Sequence, residues 1–275
     1  MLRTRVITAI IGFIVAFIFI MAGGYYYDVG ILLLALGAWR EYGKMTHHSS
    51  YMRLTDWWGL LSIVATMVCL ALHKYVPYAW SFTVIVWAVI VLGLLFIASR
   101  TITLKEMATS LFGYFYIMSG FSALMMVRDN SLYPLLHVQA DVVQPGLYMV
   151  WLLLFSTWAS DTFAYFVGRA IGKHHIVPHI SPNKTSEGFI GGFIGCLVIS
   201  AIYAYVTGYS MQIALAIGLI TGIFAPLGDL FESKIKRICE VKDSGMLLPG
   251  HGGILDRFDS LLFTATITMI YLLHM

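Results

Sequence analysis

Between Gly228 and Asp259 the chain crowds acids, bases and glycines into about thirty residues. The run reads Gly228-Asp229-Leu230-Phe231-Glu232-Ser233-Lys234-Ile235-Lys236-Arg237 and, past Cys239 and Glu240, Lys242-Asp243-Ser244-Gly245. It closes with Leu248-Pro249-Gly250-His251-Gly252-Gly253-Ile254-Leu255-Asp256-Arg257-Phe258-Asp259. If these stretches are helical, Asp229 and Glu232 share a face, and so do Asp256 and Asp259, because side chains three apart stand one above the other. Carboxylates presented this way suit Mg2+, which takes oxygen ligands and commonly shares them with substrate phosphates. Lys234, Lys236, Arg237, Lys242 and Arg257 offset several negative charges. The turn containing His251, Gly252 and Gly253 offers backbone donors at a helix N-terminus, a favourable place for an anion. Each piece alone has a structural explanation, since acids stabilise a helix start and basic loops gather on one side of a membrane. Together they predict a site for phosphate and a divalent cation.

Two upstream elements point the same way. Asp161, within Ser156-Thr157-Trp158-Ala159-Ser160-Asp161-Thr162, interrupts an otherwise apolar helix. An ionisable group there is costly unless it faces a partner or a watery recess, which favours function over an Asp merely bonded to neighbouring hydroxyls. The loop from Gly168-Arg169 through Gly172-Lys173 to Ser181-Pro182-Asn183-Lys184-Thr185-Ser186-Glu187-Gly188 mixes bases, hydroxyls and glycines that could receive phosphate. It reads equally as a basic loop ending in a helix start at Ser186. His174, His175 and His179 match zinc-ligand spacing only loosely, and a zinc site is not the favoured reading. Gly188/Gly192, Gly191/Gly195 and Gly218/Gly222 are spaced four apart, which predicts close helix packing rather than a site.

The elements that must position these groups are membrane helices. Of 275 residues, 59% are hydrophobic and only 11% charged, against about 25% charged in soluble domains. Apolar runs suggest roughly nine transmembrane helices, near 6–23, 29–43, 58–74, 78–98, 107–127, 147–168, 188–207, 211–228 and 254–273, the second of them short. The fold class is therefore all-α, a polytopic integral membrane protein. With the N-terminus cytoplasmic and the spans alternating, all of the 17 Lys and Arg except Lys74 and Arg128 fall on the cytoplasmic side. That asymmetry is what the positive-inside rule describes, and it places the acidic and basic cluster in the cytoplasm and the C-terminus opposite. The net charge of +3 gives no reason to expect a nucleic-acid partner. Cys69, Cys196 and Cys239 lie far apart and read as small buried residues, without a disulfide framework.

The two halves differ in kind. Residues 1–146 are apolar spans with short loops, joined by an outer loop near Pro134–Pro145 to a catalytic region at 147–275. Tyr25, Tyr26, Tyr27, Trp57, Trp58 and Trp80 read as interfacial belts. Arg40–Glu41 reads as a solvated interfacial ion pair rather than a headgroup contact.

The stretch from Ser233-Lys234-Ile235-Lys236-Arg237 through Lys242-Asp243 to Leu248-Pro249-Gly250-His251-Gly252-Gly253-Ile254-Leu255-Asp256-Arg257-Phe258-Asp259 resembles the pattern of phosphatidate cytidylyltransferases. Ser160-Asp161-Thr162 with Gly168-Arg169, and Ser181-Pro182 with Lys184-Thr185 and Glu187-Gly188, are similar to upstream elements of that family. The resemblance covers much of residues 156–260 and is carried by no motif in the first half. It implies a Mg2+-dependent enzyme, a homodimer in the lipid bilayer, converting CTP and phosphatidate to CDP-diacylglycerol and pyrophosphate. The expected metal ligands are Asp229, Asp256 and Asp259, with Asp161 as a further candidate. Lys236 and Arg257 join Asp229 and Asp256 as catalytic groups. Lys184, Ser233, Lys234, Arg237, His251, Gly252 and Gly253 are expected to bind substrate. Two rivals stand beside this reading: a CTP-dependent isoprenoid-alcohol kinase, which would release CDP, and an ion-coupled transporter with Asp161 as its ion site. A CDP-alcohol phosphotransferase is disfavoured, because no DGxxAR segment with paired downstream aspartates occurs.

Overall fold

The computed structural model of the chain describes residues 2–47, 53–72, 75, 79–130, 144–246 and 252–275. Among these residues it contains α-helices and no strand. The helices are α1 (Leu2–Ala22), α2 (Gly24–His47), α3 (Leu54–Ala71), α4 (Ala79–Ala98), α5 (Leu104–Arg128), α6 (Pro145–Ile171), α7 (Ser186–Thr207), α8 (Met211–Ile238) and α9 (Leu255–Leu273). An apolar chain is driven to this solution because backbone N–H and C=O groups in hydrocarbon must be satisfied within the segment. Among the described residues six stretches are long and apolar enough to cross a membrane: Leu54–Ala71, Trp80–Ala98, Leu104–Arg128, Pro145–Ile171, Ser186–Thr207 and Met211–Ile238. The protein is an all-helical integral membrane protein. Asp28, Arg40, Glu41 and Lys44 make α2 more polar, although it runs for 24 residues. The largest change from the expected boundaries is in α8. It continues past 228 to Ile238, through Pro226, and so carries Asp229, Glu232, Ser233 and Lys236 on one unbroken helix. The expected outer loop near Pro134–Pro145 falls almost wholly outside the described residues.

The chain forms two compact units, Met1–Met125 with Asp243–Leu255, and Met126–Lys242 with Asp256–Met275. The core of the first is aromatic. Trp39 stacks on Tyr42 at 6.0 Å and meets Trp58 edge-on at 6.2 Å, and Trp58 lies 5.4 Å from Tyr114. Their polar tips are satisfied. Trp39 Nε1 donates to Asp56 O at 2.9 Å, Trp58 Nε1 to Ala88 O at 2.8 Å and Tyr42 Oη to Thr109 O at 2.9 Å. Tyr27, 3% exposed, donates to Leu124 O at 3.3 Å. Tyr27 and Trp58 are therefore core residues and not belt residues. An aromatic ring with one donor is readily buried where a helix carbonyl can accept from it. Tyr25, Tyr26, Trp57 and Trp80 are exposed, as a belt requires. Glu41 is also buried, which removes the expected solvated pair with Arg40.

The second unit is held by close backbone approach. A Cβ on Gly188 would sit 2.8 Å from Ala164 O, and one on Gly192 2.8 Å from Ser160 O, so α7 packs directly on the backbone of α6. On α8, a Cβ on Gly218 would meet Ser200 Oγ at 2.7 Å, and one on Gly222 would meet Phe193 Cδ2 at 2.7 Å. Small residues four apart thus serve helix packing, as their spacing predicts. Ser156 and Ser200 hydroxyls pair at 2.9 Å, and the Cys196 thiol donates to Ser156 O at 3.2 Å. Cys69, Cys196 and Cys239 are all free thiols, and burial pushes the Cys239 thiol above its ordinary value. Gly228 brings α8 onto α9: a Cβ there would lie 2.6 Å from Asp259 O. Phe231 and Phe263 pack beside this contact at 4.9 Å.

Candidate active site

The site residues of the second unit are delivered by a folded loop and two helices. After α6 the chain turns back on itself. Ile176 N donates to Lys184 O at 3.1 Å and Ser186 N to His174 O at 2.9 Å, closing an antiparallel bridge between His175 and Thr185. Thr185 then caps α7, its hydroxyl accepting from Gly188 N at 3.2 Å, which satisfies one of the orphan amides of the helix start. Lys184, fixed between bridge and cap, places its Nζ 2.5 Å from Asp229 Oδ2. His174 is engaged elsewhere, Nδ1 facing Glu187 Oε1 at 2.6 Å, while His175 and His179 are exposed.

One turn of α8 supplies the next contacts. Ser233 Oγ donates to Asp229 Oδ1 at 3.2 Å. Lys236 pairs with Glu232, four residues back on the same helix, and reaches Asp256 Oδ1 on α9 at 2.7 Å. The side chains of Glu232 and Asp256 are 1% and 8% exposed, so Lys236 is the cation that allows two carboxylates to be buried together. Asp259 Oδ1 accepts from Ser260 N at 2.5 Å. Asp161 lies within electrostatic reach of Asp229, Lys184 and Arg257, and Asp259 within reach of Asp229, Asp161 and Lys236. Sequence positions 161, 184, 229, 236, 256, 257 and 259 therefore form one electrostatic cluster.

Other expected site residues sit differently. Arg237 donates from Nε to Ile180 O and from a terminal nitrogen to Val241 O, both at 3.4 Å, and so ties down two loops. Lys234 is exposed. Gly252, with φ 83°, and buried Gly253 belong to the first unit. His251 lies outside the described residues. The structure pairs Glu232, which shares the Asp229 face but was given no role of its own, with Lys236, and it buries Glu41 within the first unit. Glu232 had a local signal, since an acid four residues before a lysine on one helix face is a natural partner. Glu41 had none.

Five carboxylates (Asp161, Asp229, Glu232, Asp256, Asp259) meet three cations (Lys184, Lys236, Arg257) in this cluster. Hard oxygen donors with an excess of negative charge fit Mg2+ chemically. Among the described residues no three His, Cys, Asp or Glu side chains already converge on one point. An ion here fits as one held by few carboxylates and completed by phosphate oxygens, the usual manner of Mg2+.

A membrane-embedded helical scaffold carrying a buried carboxylate–lysine cluster defines the chain as a candidate phosphoryl-group-handling membrane enzyme. The chain belongs to the cytidylyltransferase family, whose model matches residues 3–275. It is similar to phosphatidate cytidylyltransferases of Staphylococcus aureus (strain COL), 33% identical over 99% of this chain and 100% of that protein, and of Staphylococcus haemolyticus, 33% identical over the full length of both. The phosphatidate cytidylyltransferase of Synechocystis is also 33% identical, over 97% of this chain and 95% of its own. These comparisons do not favour the isoprenoid-kinase and transporter readings.

Proposed function

We propose that this protein transfers the cytidylyl group of CTP to phosphatidate, giving CDP-diacylglycerol and pyrophosphate for phospholipid synthesis. The observation that carries the reading is the clustering of Asp161, Asp229, Glu232, Asp256 and Asp259 with Lys184, Lys236 and Arg257, of which the Glu232–Lys236–Asp256 group is buried, in a chain of the cytidylyltransferase family. An oxygen of the phosphatidate phosphate attacks the α-phosphorus of CTP. The new P–O bond forms as the bond to the β-phosphate bridging oxygen breaks, and pyrophosphate leaves. Both reactants are anions, so the work of the site is charge neutralisation and in-line positioning. The nucleophile is already ionised near neutral pH and needs no strong base.

Lys184, Lys236 and Arg257 face the phosphates, with Ser233, Lys234, Arg237, His251, Gly252 and Gly253 as further substrate contacts. Asp161, Asp229, Asp256 and Asp259 are the groups that hold Mg2+. Bound Mg2+ supplies additional positive charge against the triphosphate and the pyrophosphate leaving group. Lys184 and Lys236, paired with Asp229 and Asp256, exchange part of that pairing for phosphate when substrate enters. The protein acts as a homodimer with nine spans in a plasma (inner) membrane of bacterial type. Its N-terminus and site are cytoplasmic and its C-terminus is on the other side, in keeping with the distribution of Lys and Arg.

The test is purified protein in detergent with phosphatidate, Mg2+ and labelled CTP, following lipid-linked CMP and free pyrophosphate together. Equal, phosphatidate-dependent amounts of both are expected, with loss on chelation and return on adding Mg2+. Release of CDP in place of pyrophosphate would reverse the assignment in favour of a kinase.

A further inference from the structure

Glu41 on α2 is 5% exposed and reaches far along the sequence. Its Oε2 accepts from Ser244 Oγ at 3.2 Å and from the backbone N–H of Leu255 at 3.0 Å, residues 203 and 214 positions further on. Gly245 and Gly253 press on the same carboxylate. A Cβ on Gly245 would lie 2.7 Å from Oε1, and one on Gly253 2.5 Å from Oε2, so only glycine admits the group so closely. All of these residues belong to the first unit. Among the described residues Oε1 has no hydrogen-bond partner. A buried carboxylate oxygen left unpaired is costly, and a neutral cap such as Ser or Asn would satisfy a helix amide without that cost.

Leu255 opens α9, and its N–H is one of the orphan donors that every helix start must satisfy. A carboxylate at that point closes the donor and is attracted by the positive end of the helix dipole. Leu255 is bonded directly to Asp256, and Asp259 follows one turn later. We infer that Glu41 is a positioning residue: it caps α9 at Leu255 and so holds the start of the helix turn along which Asp256 and Asp259 follow. It touches neither substrate nor reacting atoms. The inference rests on the cytidylyltransferase reading.

The test uses full-length wild type, E41Q and E41A in detergent. Turnover per folded molecule is read from lipid-linked CMP and pyrophosphate, and amide hydrogen exchange is read on the peptide containing Leu255. A displacement of about 1 Å at a reacting centre costs up to about 100-fold, so kcat is expected to fall about 10-fold in E41Q and up to about 100-fold in E41A, with KM for CTP within about two-fold of wild type. Exchange at Leu255 is expected to quicken in E41A. Wild-type kcat in the folded variants overturns the inference even if exchange quickens, because the cap is then structural only. Wild-type exchange at Leu255 overturns it as well. If E41A does not fold, E41Q, which keeps the shape of the side chain, decides by the same kcat criterion. An inactive wild type instead removes the transferase reading, so the two failures are distinguishable.

Discussion

The two units treat buried polar groups in opposite ways. In the first, most are neutral tips finished by a single hydrogen bond, as with Trp39, Trp58, Tyr42 and the Thr66–Tyr114 hydroxyl pair at 2.8 Å. Such groups let large rings pack in a helical core with their polar tips satisfied. In the second, full charges are brought together, and Lys236 stands between Glu232 and Asp256. Nothing in packing requires this. Hydrophobic residues of similar volume would often be equally or more stabilising than a buried ion pair. The difference teaches where to look for chemistry in a membrane protein: a satisfied neutral network marks architecture, whereas a charge cluster kept despite its desolvation penalty marks function.

The comparison breaks most sharply at Asp256. Asp256→Asn keeps the shape and an oxygen to accept from Lys236, but removes a charge. Turnover is expected to fall by at least about 10³-fold, roughly 4 kcal/mol in the barrier, while the protein remains folded and inserted. Near-normal pyrophosphate release from that variant would remove Asp256 from the site. Lys236→Met comes next. It leaves Glu232 and Asp256 buried without their cation, and loss of one partner of a buried pair costs about 3–5 kcal/mol. Both the thermal midpoint in detergent and turnover per folded molecule should drop. A variant with unchanged stability would show that the pair is better solvated than its burial implies.

How far the sequence foretold this can be traced residue by residue. The helices follow from apolar runs, and the site cluster from acids and bases placed three or four apart on α8 and α9. Local spacing is a property that a linear sequence carries. Trp58 and Tyr27 were misread because a ring beside an apolar run looks the same whether it meets the lipid interface or a carbonyl such as Ala88 O or Leu124 O. Glu41 was misread for a stronger reason. Its partners lie 203 and 214 residues away, and nothing near Arg40 announces them. Contacts that depend on tertiary approach leave no local periodicity to read.

Within the first unit, Trp58→Ala should cost about 3 kcal/mol or more, by the cavity it opens against Trp39 and Tyr114 and by the loss of the hydrogen bond to Ala88 O. Its signature should be the reverse of that of Asp256→Asn. The yield of folded protein and the thermal midpoint fall, while turnover per folded molecule stays within about two-fold of wild type, because no interaction made only in the transition state is lost. A drop in kcat comparable to that of Asp256→Asn would mean that the neutral core is coupled to the chemistry, and the contrast between the units would lose its meaning.

The smallest effect sharpens the same contrast by one residue. Trp57 adjoins Trp58 on α3 but is 54% exposed, against 4% for its neighbour. Successive helix positions are separated by about 100°, so one indole enters the core while the next faces outward. Trp57→Leu keeps an apolar side chain at a position that opens no cavity, and its effect on stability should lie within about 0.5 kcal/mol. What it removes is an indole able to sit at headgroup level. Unchanged thermal stability and turnover in detergent are therefore expected, with any loss confined to protein in bilayers. A loss in detergent comparable to that of Trp58→Ala would mean that Trp57 is covered by protein, and its place in an interfacial belt would have to be abandoned.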